Sequence, residues 1–182
     1  MNSPIRVSLP DEAHILNAQP AGTKVLLSGT LYTMRDAGHE RCLAHLREHG
    51  RLPFGLEGQA LFYAGPTPAR AGRPFGAIGP TTASRMDFAA PELYRAGIVS
   101  TIGKGKRSDA VVDACRECGT TYLACVGGAA ALLAKAVTAA ECVAWEDLGT
   151  EALHRIQVDG LPAFVEVDAE GHSLYRQIEA AS

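Results

Sequence analysis

Strand-like and helix-like segments alternate regularly between residues 87 and 145 of this 182-residue chain. That alternation constrains the fold more than any other feature. A helix over about 87–96 is followed by the strand IVSTIG and a helix over 107–118. Then come the strand TTYLACV, a Gly-led helix over 127–135 and the strand ECVAW. Such a pattern predicts an α/β layer with some parallel pairing. Upstream, residues 4–9 read as a strand and Asp11 to Leu16 as a short helix. Lys24 to Met34 reads as a strand with a Gly interruption. Asp36 is expected to N-cap a helix through AGHERCLAHLREH that Gly50 ends. Residues 51–80 are rich in Pro and Gly, with ALFYAG their best strand. RIQVDGLPAFVEVDAEGHSLY reads as strands closed by the turn DAEG. The expectation is one α/β unit over residues 1–182, with a β-rich first half and an alternating α/β second half.

Composition removes several function classes. The 47% apolar and 20% charged residues are those of a globular protein. A net charge of -3 argues against a dedicated nucleic-acid binder, which carries a basic stripe. No apolar run approaches the ~20 residues that span a bilayer. The segment MNSPIRVSLPDEAH lacks a signal-peptide core, so a cytoplasmic location is expected. The five cysteines, Cys42, Cys115, Cys118, Cys125 and Cys142, have no disulfide-framework spacing. Cys115 and Cys118 form a CxxC pair, which is half a zinc site, and no second pair follows. Two positions one turn apart on a helix stopped by Gly119 account for them.

Four segments at strand-to-loop transitions carry candidate chemistry. In TMRDAGH, Arg35 and Asp36 fall at a strand-to-helix junction where anions are favoured, and His39 follows Asp36 by three. Taken alone, these residues read more simply as a cap, a surface arginine and a solvated histidine. In IGPTTASRMD, a Gly-Pro turn delivers Thr81, Thr82, Ser84 and Arg85 together. The hydroxyls would cap the next helix and Arg85 would pair with Asp87, or the turn would grip a carboxylate through the guanidinium fork. In IGKGKRSD, glycines flank Lys104 and let backbone approach a ligand, though the Walker spacing is absent. The alternative is a basic turn with Lys104, Lys106 and Arg107 solvated. Gly127 and Gly128 of VGGAAALLAK suit tight helix packing better than a dinucleotide fingerprint. Arg35, Arg85 and Lys104 together suit a small dianion such as a dicarboxylate. Elimination of water from an unactivated hydroxy acid also needs a Lewis acid, and no metal site is evident in the residues.

In order, SGTLYTMRDAGH, YAGP, GPTTASRMD, IGKG, VGGAAALLAK and VAWEDLGTEAL closely resemble the β subunit of class I, iron-sulfur fumarate hydratases. They equally resemble the β subunits of L-tartrate dehydratase and the C-terminal part of single-chain class I fumarases. The resemblance covers roughly residues 5 to 175. It implies a swivelling β/β/α fold and reversible hydration of fumarate to malate. It also implies a larger α subunit holding a 4Fe-4S cluster through three cysteines, in an αβ heterodimer or a dimer of αβ pairs. The cysteines of this chain are then not ligands. By motif, Arg35, Arg85 and Lys104 would clamp the substrate carboxylates beside Thr82. Thr81 matches the base that removes the C3 proton, and Asp36 and His39 would orient the site or assist proton transfer. The motif reads MRDAGH here, where fumarases commonly read ARDAAH and tartrate enzymes CRDVCH. Tartrate dehydration, mesaconate hydration, a dicarboxylate-binding module without chemistry and a purely structural subunit are the alternatives.

Overall fold

Strands and helices alternate from the N-terminus onward. In the computed structural model, which describes residues 3–67, 76–125 and 130–181, the first elements are β1 (Ile5–Leu9), α1 (Ala13–Asn17), β2 (Lys24–Thr33) and α2 (Asp36–His49). Then come β3 (Ala60–Phe62), α3 (Ala90–Arg95), β4 (Ser100–Gly103), α4 (Asp109–Cys118) and β5 (Thr121–Ala124). The last are α5 (Ala130–Leu133), β6 (Val137–Ala144), β7 (Leu153–Val167) and α6 (Leu174–Ala180). Gly50 (φ 67°) and Gly119 (φ 64°) terminate α2 and α4 in the left-handed conformation that a glycine adopts without steric cost.

Strands β1 to β5 are all parallel and lie side by side in chain order. The fifteen-residue β7 runs antiparallel and pairs with both β5 and β2, while β6 pairs with its outer side. Strands β2, β3, β4, β5 and β7 therefore form a closed circuit of pairings, which removes their free edges. The pleat sends alternate residues to opposite faces. Leu31, Phe62, Ile102, Leu123 and Val165 join one apolar cluster. Leu61, Tyr63 and Tyr122 join a second, against Leu43 of α2, Leu93 of α3 and Val112 of α4.

The α/β class is as expected, but its distribution along the chain differs. The longest strand, the antiparallel β7, lies near the C-terminal end, and the described part of residues 51–80 holds a single strand, Ala60–Phe62. The ECVA of ECVAW is the end of a longer strand, Val137–Ala144, and Trp145 lies beyond it. The DAEG turn leads into a helix because Ser173 caps it, its hydroxyl accepting the Arg176 N–H. Gly127 and Gly128 fall outside the described residues. Among the described residues, no helix is long and apolar enough to cross a membrane.

Candidate functional site

Parallel strands direct their C-terminal ends to one edge of a sheet, where loops gather without blocking the pairing. Here the GPTT turn is wedged between the ends of β3 and β4. The Thr81 N–H donates to the Tyr63 carbonyl at 2.6 Å, and the Lys104 N–H donates to the Thr81 carbonyl at 3.2 Å. The Ala83 N–H returns to the Lys104 carbonyl at 2.8 Å. Gly103 permits this approach, because a Cβ there would lie 3.0 Å from both Ala83 Cβ and Tyr63 Cδ2. Thr81 is half-buried and Thr82 exposed. Neither hydroxyl has a hydrogen-bond partner among the described residues. Lys104 is half-buried and has no ion-pair partner among them, in contrast to the other two candidate cations.

Arg35 and Asp36 occupy the start of α2, beyond the end of β2. The expected Asp36 cap is not formed: Arg35 holds the N-cap position with extended backbone and no side-chain cap bond. Glu151, 114 residues away, supplies the acceptor instead, taking the Ala37 N–H at 2.8 Å. Its other oxygen lies 3.9 Å from Arg35 Nη2. Gly38 allows that contact, since a Cβ would sit 2.7 Å from the Glu151 carbonyl oxygen. Asp36 is turned toward the GPTT segment, accepting from Arg85 Nε at 3.0 Å with Nη2 at 2.9 Å from its second oxygen. Arg85 therefore pairs with Asp36, not with Asp87. The Arg35 side chain runs over Gly65, where a Cβ would meet its Cδ at 2.7 Å. Arg35 Nε is buried with no hydrogen-bond partner among the described residues.

His39 is fully buried, not solvated. Its Nδ1 lies 2.8 Å from the Arg35 carbonyl oxygen. A carbonyl only accepts, so the proton is on Nδ1 and Nε2 is a buried acceptor with no partner among the described residues. The ring meets Tyr63 edge-on, with centroids 5.1 Å apart. Burial pushes the His39 pKa from 6.5 to about 4; the Arg35 carbonyl opposes this and the Arg107 charge adds to it. The ring is neutral at pH 7 and can receive a proton rather than deliver one.

A stability effect follows from that burial. Between pH 6.5 and about 4 the unfolded chain protonates His39 and the folded chain does not, so stability is complete above this window and falls as pH falls through it. The loss is about 3 kcal/mol. The Tm advantage of wild type over His39→Gln should shrink steadily from pH 7 to pH 4. A constant difference would contradict a buried, neutral ring.

All seven sequence candidates thus meet at one edge, linked through Tyr63, Thr81 and the Arg85–Asp36 pair. Two participants are not evident from sequence alone. Glu151 is joined to α2 only by folding, and Arg107, read as part of a solvated basic turn, is completely buried against Asp87. The chain's own donors do not suit an iron-sulfur cluster. Burial pushes Cys42 and Cys125 up to about 12 and Cys115 to about 11, disfavouring thiolates. No group of three His, Cys, Asp or Glu among the described residues converges as a metal site.

Comparison with known proteins finds a family and several relatives. The family described as Fumarase C-terminus matches residues 2–178. The anaerobic class I fumarate hydratase of Escherichia coli K12 is 40% identical over 166 residues, 90% of this chain and 30% of its own length. Fumarate hydratase 2 of Leishmania major is 39% identical over 163 residues, 88% and 28% of the two chains. The Methanocaldococcus jannaschii protein named "Putative L(+)-tartrate dehydratase subunit beta" is 33% identical over 163 residues, 86% and 84% of the two chains. The chain therefore spans less than a third of the two fumarate hydratases and most of the third relative.

Proposed function

The chain belongs to the Fumarase C-terminus family, whose similar proteins are hydro-lyases by name, and we propose that it is the β component of an iron-sulfur hydro-lyase hydrating fumarate to malate. The observation that supports this reading is that Arg35, Arg85 and Lys104 lie near the ends of β2, β3 and β4 with Thr81, whose backbone bonds to Tyr63 and Lys104 and whose hydroxyl has no partner among the described residues. Three cations in a slightly acidic chain suit a dicarboxylate dianion. The 4Fe-4S cluster is assigned to a larger α subunit, because this chain's thiols do not converge. The relative named as a separate β subunit, which the match covers over 84% of its length, supports that division. Residues 1–182 are taken as one unit of the swivelling β/β/α type, acting in the cytoplasm within an αβ heterodimer or a dimer of αβ pairs.

In this reading Arg85 and Lys104 hold the substrate carboxylates, with Thr82 beside them, and Arg35 donates through the buried Nε. In the dehydration direction Thr81 takes the C3 proton of malate, and in hydration it returns it. A threonine hydroxyl is a weak base, so Thr81 acts as an alkoxide formed by prior loss of its proton to solvent. Lys104, hydrogen-bonded to Thr81 through the backbone, supplies positive charge that stabilises this alkoxide, which becomes the neutral hydroxyl on taking the C3 proton. Asp36 fixes the Arg85 guanidinium, and neutral His39 offers Nε2 as a further proton acceptor. The name of the archaeal relative makes L-tartrate the second substrate to assay.

The reading is tested by anaerobic assembly with the α subunit and assay on fumarate and L-tartrate. Arg85→Ala removes a charged hydrogen-bonding fork, at about 1.5–3 kcal/mol. It should raise KM about 10–100-fold, and Arg85→Lys should recover only part of the loss. Unchanged kinetics in Arg85→Ala would remove Arg85 from the site.

A further inference from the structure

Arg107 is a buried charge, with a side chain 0% exposed, yet it lies outside the set of substrate contacts. It follows Lys104 by three and immediately precedes Ser108, the N-cap of α4. Three of its contacts reach anchors of the site loops. Its Nε donates to Asp87 Oδ1 at 2.7 Å. Asp87 closes the 3-10 turn Ala83–Met86 that carries Arg85, and its second oxygen takes the Ser108 N–H at 2.7 Å. The guanidinium carbon lies 4.6 Å from the centre of the Tyr122 ring, and the Tyr122 hydroxyl donates to the Gly105 carbonyl at 3.0 Å. That bond pins the loop beside Lys104. On its other side the guanidinium is 5.2 Å from the Tyr63 ring centre, with Nη2 donating to the Tyr63 hydroxyl at 3.4 Å. Tyr63 holds Thr81 by its carbonyl and packs its ring on His39. Nη1 ties the group to β4 through Thr101 Oγ1 at 3.2 Å.

We propose that Arg107 is a positioning residue that sets the Thr81–Arg85 turn, the Lys104 loop and His39 relative to one another through Asp87, Tyr122 and Tyr63. A guanidinium suits this role where an ammonium does not. Its planar fork donates in several fixed directions and stacks against an aromatic ring at the same time. Placement matters because a misalignment of about 1 Å in a reacting group costs on the order of 100-fold in rate. The inference rests on the proposed function only for its kinetic readout. The geometric readout stands without it.

Hydrogen exchange on the purified chain and kinetics on the assembly with its α subunit test the role together. In Arg107→Lys, exchange at the Thr81, Ala83 and Lys104 amides should accelerate at least about 10-fold, with Leu27 in β2 unchanged. In the assembly kcat should fall about 100-fold with KM changed less than about threefold. Tyr122→Phe removes a single hydroxyl. It should loosen residues 104–106 and leave the Thr81 amide protected, which keeps the proposal testable where Arg107→Lys does not fold. Unaltered exchange at the three amides, or acceleration spread evenly over the chain, would overturn it. So would a Tyr122→Phe chain that loosens both loops alike. A wild-type assembly inactive on dicarboxylates would instead refute the proposed function, and the exchange pattern would still decide the role of Arg107.

Discussion

Thr81→Val in the assembled enzyme should lower kcat by about 10²–10⁴-fold, the usual contribution of a positioned general acid or base, with KM changed little. Valine keeps the volume and branching of threonine and deletes only the hydroxyl. The backbone contacts that place residue 81, to the Tyr63 carbonyl and from the Lys104 N–H, do not use the side chain and should survive. A fall in kcat at nearly constant KM is the signature of a group that acts in the transition state. Thr81→Ser retains the hydroxyl and should keep most of the rate. If Thr81→Val raises KM and spares kcat, Thr81 is a binding residue and the proton goes elsewhere, with His39 Nε2 the next candidate.

Gly29→Ala should prevent accumulation of folded protein. Gly29 has φ 95°, and an added Cβ would lie 2.2 Å from the Leu9 carbonyl oxygen. Leu9 is its register partner in β1, and the β2–β7 register shifts between Leu27 and Gly29. Backbone meets backbone at this point, so no side chain can move to relieve the clash. Either the end of β1 separates or the irregularity that lets β2 serve β1 and β7 together is lost. We expect a cost of more than about 4 kcal/mol, a large part of the 5–15 kcal/mol that a domain has. Gly50→Ala is the control. Its φ of 67° is also positive, but nothing lies within 4 Å of the added Cβ. It should cost only about 1–2 kcal/mol, or roughly 2–8 °C in Tm. A Gly29→Ala chain that melts like Gly50→Ala would contradict the crowding described at Leu9.

The parts of this fold that are legible in the sequence are those decided locally. Asp36–His49 and Asp109–Cys118 combine an apolar stripe with a glycine stop, and the structure ends both helices at those glycines. The Gly interruption in Lys24–Met34 marks the irregularity at Gly29. By contrast, β7 pairs with β2 across more than a hundred residues, and no short-range pattern specifies that closure. The α6 start was open to recognition, since Ser173 stands three residues before the amide it caps. The site divides in the same way. Arg35 and Lys104 are noticeable because each follows a strand end, and Thr81 and Arg85 because they share a Gly-Pro turn. Glu151 and Arg107 are not, because a cap supplied from 114 residues away and a buried cation stacked on two tyrosines exist only after folding. A Lys-Arg pair in a glycine-rich turn ordinarily reads as solvated.

The central claim is that this chain provides the dicarboxylate-binding half of a site whose iron belongs to a partner. Its most direct test is anaerobic purification of the tagged chain from its native cells, followed by iron analysis and a fumarate hydration assay. The account predicts a larger iron-containing partner, hydratase activity in the assembly and none in this chain alone. Recovery of the chain without partner, iron or activity on either fumarate or L-tartrate would contradict it.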